Sequence, residues 1–323
     1  MASALDFLTL DVFTSTHYLG NPLAVVLVPA AQASTLTQER KQLIAREFNL
    51  SETAFLHVPE DPLSTERRVD IFTIEEELPF AGHPTIGSTY LVLKHFGLEH
   101  VRALLLKGGR VKISKTGGEA EGRVLATIPH DVHLHKNTLR SIYQSDDSQL
   151  AEHVRAALSD DVAIRQAELD APVVSIVKGM SFVLVQLPSI EHLAKVTTAK
   201  RLDFTKLTGL LDAGPWEKSF TARYYYAMLE SSEGAKTVRI QARMVEMGME
   251  DPATGSAAST LTSYLTLQSA ADNVEYEIVQ GVEMGRRSHI AVAIEAVGAG
   301  EARKIVDLKL GGTARVVMKG TLV

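Results

Sequence analysis

The sequence predicts an α+β fold of two domains related by internal duplication, each with strands wrapped around one apolar helix. Three observations support this prediction. The chain has 323 residues, which is more than one ordinary hydrophobic core accommodates. In each half, a long segment without Asp, Glu, Lys or Arg follows a strand-rich region. The sequences His83-Pro84 and Gly87-Ser88 also have counterparts 168 positions later, in Asp251-Pro252 and Gly255-Ser256.

The first domain is predicted to open with strands over residues 8–13 and 24–28, separated by a turn at Gly20-Asn21-Pro22. A helix follows. We expect it to begin at a capping pair formed by Thr35 and Gln38 and to end at Asn49.

Alternation of side chains predicts the next strand over residues 52–58, where Glu52 shares a face with Ala54 and Leu56. A carboxylate at the mouth of an apolar face is desolvated, which raises its pKa towards the range where it can both take and return a proton. Glu52 is therefore a candidate general base. The alternative is a solvated residue at the start of a strand.

The two segments without charged residues begin at residues 80 and 252 and predict buried helices. A helix N-terminus offers unpaired N–H groups, so Gly82 and His83 in one half, and Gly255 and Ser256 in the other, predict an anion-binding cradle facing one interdomain cleft. The alternative is that Gly-Ser only allows close helix packing. His83 is a candidate proton shuttle, and Asp251 a group that orients substrate or catalyst. Either residue could instead only satisfy its own turn.

Between the halves, residues 130–170 are polar, and we interpret them as an insertion on the surface whose helical piece near residues 151–158 is peripheral. The predicted domains are residues 1–127 and 128–323, with the last strand able to pack back on the first domain. The spacing of His133-Leu134-His135 suits metal ligands, but the sequence shows no partner ligand. We therefore interpret the two histidines as exposed and predict no metal site.

Composition excludes several classes of function. Lys and Arg number 33 against 39 Asp and Glu, a net charge of −6 with no basic block, so a nucleic-acid partner is not expected. The absence of cysteine excludes disulfides, thiolate metal sites and two-thiol racemase chemistry. No apolar run approaches the roughly 20 residues that cross a bilayer, and no basic leader is present, which predicts a cytoplasmic protein without membrane contact. No dinucleotide-binding fingerprint follows any predicted strand, so no cofactor is expected.

Five ordered motifs resemble those of the PhzF-like isomerases of phenazine biosynthesis. They are GNPLAVV at residues 20–26, NLSETAF at 49–55, FAGHPTIG at 80–87, DPATGSA at 251–257, and Gln280-Gly281 followed by Gly285-Arg286.

The resemblance implies a diaminopimelate-epimerase-like fold, in which each of two pseudo-symmetric domains is a curled antiparallel sheet around a central helix. It also implies a homodimer and a cofactor-free isomerase of a small carboxylated metabolite, similar to trans-2,3-dihydro-3-hydroxyanthranilate isomerase. In this comparison Glu52 matches the residue that moves the proton. The other implied site residues are His83 and Asp251 as catalytic groups, and Asn21, Gly82, Gly255 and Ser256 as substrate-binding groups.

Two alternatives stay open. One is another cofactor-independent epimerase or lyase acting on a small acid. The other is an interaction protein that keeps the fold without turnover, although the presence of Glu52, His83 and Asp251 argues against it.

Overall fold

A computed structural model describes residues 4–116, 122–230, 237–246 and 248–323. The chain divides into two units. Unit 1 comprises Met1–Ile128, Ser288–Ile290 and Lys309–Val323, and unit 2 comprises Pro129–Arg287 and Ala291–Leu308.

The elements follow one another along the chain in two similar series. The first series is β1 (Leu5–Val12), β2 (Asn21–Val28), α1 (Gln38–Phe48), β3 (Thr53–His57), β4 (Glu66–Phe72), β5 (Glu77–Leu78), α2 (Gly82–Tyr90), β6 (Ala103–Leu106), β7 (Gly109–Lys115) and β8 (Val124–Thr127). After it come β9 (His133–Leu134), α3 (Leu139–Tyr143), α4 (Ser148–Ala157) and α5 (Val162–Asp170). The second series is β10 (Val173–Val177), β11 (Met180–Gln186), α6 (Ile190–Ala194), β12 (Phe220–Met228), β13 (Thr237–Glu246), β14 (Met249–Asp251), α7 (Gly255–Leu267), β15 (Asn273–Gln280), β16 (Ser288–Val297) and β17 (Lys304–Gly312), and the last strand is β18 (Ala314–Leu322).

The strands of the two series pair in the same order. In unit 1, β1 and β2 are antiparallel, β2 and β3 parallel, β3 and β4 antiparallel, and β4 pairs with β5 antiparallel and with β6 parallel. In unit 2, the same sequence of pairings joins β10 to β11, β11 to β12, β12 to β13, and β13 to both β14 and β15. This shared order supports the predicted internal duplication and an α+β fold class.

The sheets are mixed, whereas the resemblance implied antiparallel ones. A parallel neighbour needs a long crossover connection, usually one that contains a helix. The chain supplies such a connection at every parallel pair named above: α1 precedes β3, α2 precedes β6, α6 precedes β12 and α7 precedes β15. Each unit therefore repeats the same arrangement, in which a helix lies in the connection that leads to a parallel strand.

Both segments without charged residues form buried helices, as predicted. Every residue of α2 from Gly82 to Thr89 is buried, and the helix packs against β1, β2, β3 and β8. A Cβ atom on Gly87 would lie 2.4 Å from Leu23 Cδ2, so this glycine permits close packing of α2 on β2. Helix α7 packs on β10, β11 and β15 through a surface made mostly of Gly, Ala, Ser and Thr.

The alignment with an offset of 168 residues does not match the helix starts. Helix α2 begins at Gly82 and α7 at Gly255, which are 173 positions apart. Gly87 therefore lies in the second turn of its helix, whereas Gly255 opens the first turn of α7. The match of Gly87-Ser88 with Gly255-Ser256 was a chance identity of short sequences, and the pairing order of the strands is the sounder evidence for duplication.

The interpretation of residues 130–170 as a surface insertion was wrong. Helices α3, α4 and α5 contribute Leu139, Val154 and Ile164 to a buried cluster that also contains Val183 of β11 and Tyr225 of β12. The segment is thus a helical layer that covers one face of the unit 2 strands. Its polar residues are outward-facing, which is why composition alone suggested an insertion without a core.

A buried ion cluster fastens this helical layer to the sheet. Arg223 of β12 is 1% exposed and bonds Glu246 of β13 at 3.0 Å and Glu168 of α5 at 3.2 Å. It also donates to the carbonyls of Ala157 and Lys200. Because a buried guanidinium requires paired acceptors, this arrangement fixes where α4 and α5 lie on the strands.

Helix α1 begins two residues later than predicted. Its N-cap is Thr37, whose side chain accepts a hydrogen bond from the Arg40 N–H, so Thr35 and Gln38 do not form the cap. The predicted end is confirmed, because Asn49 adopts the left-handed conformation (φ 51°) that closes the helix. Among all described residues, no helix is both long and apolar enough to cross a membrane.

Candidate active site

Glu52 lies immediately before β3, a strand whose five residues are all buried. Its side chain retains 18% of its surface exposed. Burial raises the pKa of the Glu52 carboxyl above its ordinary value, and a hydrogen bond with Ser51 opposes this shift only in part. Glu52 is therefore a desolvated carboxyl at the end of an apolar strand and not a fully solvated residue.

His83 is the partner that the fold gives to Glu52. It is the second residue of α2, is 5% exposed, and places Nδ1 3.5 Å from Glu52 Oε2. The two residues come together because α2 packs on β3. The structure thus joins two side chains that are 31 positions apart in the sequence.

The other two predicted residues of unit 1 are also buried. Asn21 opens β2, is 1% exposed and pairs with Val12 in the sheet, and Gly82 is the first residue of α2. The turn before Asn21 requires glycine at position 20, where φ is 71° and a Cβ atom would lie 2.3 Å from the Val12 carbonyl oxygen. Gly20 therefore fixes the entry of Asn21 into its strand.

The predicted residues of unit 2 lie on one short turn. Asp251 ends β14, and Gly255 and Ser256 begin α7. The hydroxyl of Thr254 donates to Asp251 Oδ2 at 2.6 Å, which orients the carboxylate towards the start of the helix. Asp251, Gly255 and Ser256 are thus neighbours, whereas Glu52 and His83 belong to unit 1.

Gln280 holds this turn in place, a role that sequence reasoning missed. Its side chain is fully buried and donates to the Asp251 carbonyl at 2.9 Å and to Thr254 Oγ1 at 3.0 Å. Its Oε1 accepts from the Tyr224 hydroxyl at 2.9 Å and from the Thr254 N–H at 3.2 Å. The only signal in the sequence was that Gln280 stands in one of the five motifs.

Gly281 completes the same support. Its φ is 73°, and a Cβ atom there would lie 2.7 Å from the Pro252 carbonyl oxygen and 2.6 Å from that of Arg286. Any side chain at position 281 would displace the Asp251-Pro252 turn. Gln280 therefore holds this turn by hydrogen bonds, and Gly281 allows the turn to pack closely against the chain.

The helices α2 and α7 differ from the surface helices at their N-termini. Helices α1, α4 and α5 carry side-chain caps from Thr37, Asp147 and Asp161. The N-caps of α2 and α7, Ala81 and Thr254, make no such bond, and neither helix has an acidic residue in its first turn. First-turn N–H groups without a cap and without an acidic neighbour are suited to binding an anion.

The histidines of the HxH sequence differ from their predicted state. His135 is 4% exposed, and His133 Nε2 lies 2.9 Å from Asp212 Oδ2. The expectation of exposed histidines without a partner ligand was therefore wrong, because the fold brings in Asp212 from 77 residues further along.

Comparisons with known proteins give a consistent result. A family model described as "Phenazine biosynthesis-like protein" matches residues 10–320. The chain is 31% identical to an uncharacterized isomerase of Mesorhizobium japonicum, covering 98% of both chains, and 28% identical to trans-2,3-dihydro-3-hydroxyanthranilate isomerase of Pseudomonas aeruginosa, covering 95% of this chain and 96% of that protein. A crystal structure of a Bacillus anthracis phenazine biosynthesis protein of the PhzF family covers 100% of both chains with a TM-score of 0.70 and 20% identity.

The structural likeness confirms the predicted α+β fold of the diaminopimelate-epimerase type. The match over nearly the whole length, at residues that include all five motifs, also confirms the resemblance found in the sequence. The chain belongs to the phenazine biosynthesis-like, or PhzF, family.

Proposed function

We propose that the chain is a cofactor-independent isomerase that moves a proton between carbon atoms of a small carboxylated substrate. The observation that carries this proposal is the pair formed by Glu52 and His83, a desolvated carboxyl with a raised pKa beside an imidazole at 3.5 Å. The family supports the reaction class, since a relative of 28% identity is named as trans-2,3-dihydro-3-hydroxyanthranilate isomerase.

In the proposed reaction, ionised Glu52 removes a proton from a substrate carbon and becomes neutral, while the bonding electrons delocalise into the conjugated system of the substrate. Neutral Glu52 then returns the same proton to a different carbon, so the enzyme is unchanged at the end. A raised pKa favours both steps, because the carboxyl is a stronger base before transfer and is readily held in its neutral form afterwards. His83 orients the carboxyl through Nδ1.

Each helix start is proposed to offer its N–H groups to an anionic group of the substrate: those of Gly82 and His83 in α2, and those of Gly255 and Ser256 in α7. These helix starts have no competing side-chain cap. Asp251 is proposed to orient a donor group of the substrate, and Asn21 to contribute a further contact. The rigid hydrogen bonding of Gln280 supports this part of the proposal, because it fixes the turn that carries Asp251.

The test is incubation of the protein with trans-2,3-dihydro-3-hydroxyanthranilate, and with other small unsaturated or amino-substituted acids, in deuterated water. We expect deuterium at the newly protonated carbon of an isomerised product, to the extent that neutral Glu52 exchanges with solvent before it returns the proton. Deuterium at the original carbon with inverted configuration would indicate an epimerase, and loss of a substituent would indicate a lyase. A reaction in which no carbon–hydrogen bond of the substrate is broken or formed would contradict the proposal.

A further inference from the structure

Three side chains that commonly bind metal ions gather in unit 2 and have no part in the proposed reaction. They are His133 and His135, at and just after β9, and Asp212, in the segment before β12. One ligand atom from each lies within 4.8 Å of the others. His133 Nε2 and Asp212 Oδ2 are already 2.9 Å apart.

The backbone explains why the two histidines lie side by side. Residues two apart on a strand point to the same face of the sheet. Strand β9 pairs antiparallel with β10, placing His133 opposite Ser175, and the His135 N–H continues the ladder by donating to the Val173 carbonyl at 2.9 Å. The two imidazole rings consequently pack edge to face, with centroids 4.8 Å apart.

The hydrogen bonds of His135 assign its tautomer. Nδ1 accepts from the Asp212 N–H at 3.0 Å, so the ring proton lies on Nε2, which donates to Ser175 Oγ at 2.8 Å. The Ser175 hydroxyl in turn forms a hydrogen bond with the Ser181 hydroxyl, with the two Oγ atoms 2.6 Å apart. The hydrogen bond from Nε2 to a fixed protein oxygen is the outer hydrogen bond typical of metal-binding histidines, and it leaves Nδ1 as the nitrogen with a lone pair.

We propose that His133 Nε2, His135 Nδ1 and Asp212 Oδ2 bind one divalent transition-metal ion, for which Zn²⁺ is the best match. Two imidazoles and one carboxylate form a usual zinc ligand set, with the fourth position filled by water. Ligands of tetrahedral zinc lie about 3.4 Å apart, so binding draws the longest separation in by roughly 1.4 Å. In this step the proton on His133 Nε2, which faces Asp212 Oδ2, moves to the other ring nitrogen, so that Nε2 has a lone pair for the ion. His135 Nδ1 exchanges its hydrogen bond from the Asp212 N–H for the ion and keeps its bond to Ser175.

The ion would cross-link β9 to the segment that precedes β12. That segment is otherwise held near β9 by hydrogen bonds such as those from the Asn137 side chain to the Gly209 carbonyl and from the Lys136 N–H to Asp212 Oδ1. The proposed role is therefore a cross-link between these two segments, separate from the proton transfer assigned to Glu52.

The chain contains its own reporter for this site. Trp216 is the single tryptophan of the sequence, and its ring stacks on His133 at 4.5 Å between centroids and 8° between planes. An ion bound to His133 changes the charge and position of the ring that the indole contacts. Tryptophan fluorescence therefore reports on the site without any label.

The experiment is a Zn²⁺ titration of the full chain after treatment with a chelator and dialysis, followed by tryptophan fluorescence and by calorimetry for stoichiometry. We expect a saturable change with one Zn²⁺ per chain. Asp212→Asn keeps the size and the backbone N–H that bonds His135, and should weaken binding by at least about ten-fold. His133→Gln, at a partly exposed position, should do the same in calorimetry.

The matched control is His153→Gln, another partly buried histidine of unit 2, whose Nε2 lies 3.2 Å from the Asp203 carbonyl oxygen. It should bind Zn²⁺ with the affinity of the wild type. No saturable binding, or equal affinity in wild type, Asp212→Asn and His133→Gln, would overturn the proposal and leave the three residues as a hydrogen-bonded tie between β9 and its neighbour.

Discussion

Ionisation of the buried Glu52 carboxyl destabilises the folded protein, and this effect can be measured separately from catalysis. Its pKa is raised by burial, so the folded state binds this proton more tightly than the unfolded state does. The stabilisation from the neutral form is therefore fully present below the unfolded-state pKa and is lost as the pH rises through the folded-state pKa. Glu52→Gln stays neutral at every pH and lacks this loss.

We accordingly expect the thermal stability of Glu52→Gln to increase relative to that of the wild type as the pH rises above the pKa of an ordinary Glu. The measurement is the midpoint of thermal unfolding of both proteins between about pH 4 and pH 8. Glu75→Gln, at an exposed position in the loop before β5, is the matched control and should follow the wild type. A difference between Glu52→Gln and wild type that does not change with pH would mean that burial does not shift this carboxyl.

Local patterns predicted these single residues only in part. Glu52 was identifiable because a carboxylate leads an apolar strand, and Asn49 because it follows the last apolar position of its helix. The 3.5 Å contact of Glu52 with His83 depends on how α2 packs on β3, which no local pattern contains. The partner of His133 was missed for the same reason, since Asp212 is distant in the sequence.

At the scale of elements, the turn between β14 and α7 depends on β15. Gln280→Met keeps the approximate volume but removes all four hydrogen bonds of the side chain, including the acceptor of the buried Tyr224 hydroxyl. Leaving such groups unsatisfied costs about 1–3 kcal/mol each. We expect a loss of at least this size in the free energy of unfolding, measured by urea denaturation.

Tyr224→Phe is the comparison for that variant. It removes one donor, while Gln280 Oε1 still accepts from the Thr254 N–H, so its loss in stability should be smaller. If Gln280→Met destabilised the protein no more than Tyr224→Phe does, the turn would be held by its own backbone and not by Gln280.

Elements were predicted well where composition marks them and poorly where packing decides. The absence of charge identified both buried helices, α2 and α7. Residues 130–170 were interpreted as a polar surface segment, yet their helices bury one apolar face against the strands, and Arg223 with its two glutamates holds them there. The start of α1 was misplaced by two residues because Thr35 and Thr37 are both plausible caps, and only the backbone geometry selects Thr37.

At the scale of the whole molecule, duplication organises each unit in the same way. In unit 1, Glu52 lies just before β3 and His83 lies in the buried helix α2. In unit 2, Asp251 lies at the end of β14, and Gly255 and Ser256 lie at the start of the buried helix α7. The sequence was sufficient to predict two strand-rich halves, but the mixed pairing of the strands required the structure. The homodimer, the cytoplasmic location and the domain boundary at residues 127 and 128 stay predictions.

The most direct test of the account is the turnover of Glu52→Gln on the carboxylate that the deuterium experiment identifies, beginning with trans-2,3-dihydro-3-hydroxyanthranilate. Glutamine keeps the size of the side chain and cannot accept the proton, so kcat should fall by at least about 10²-fold to 10⁴-fold while KM changes little. Glu75→Gln should retain the activity of the wild type. A Glu52→Gln enzyme whose kcat lies within a few-fold of wild type would contradict the claim that Glu52 moves the proton.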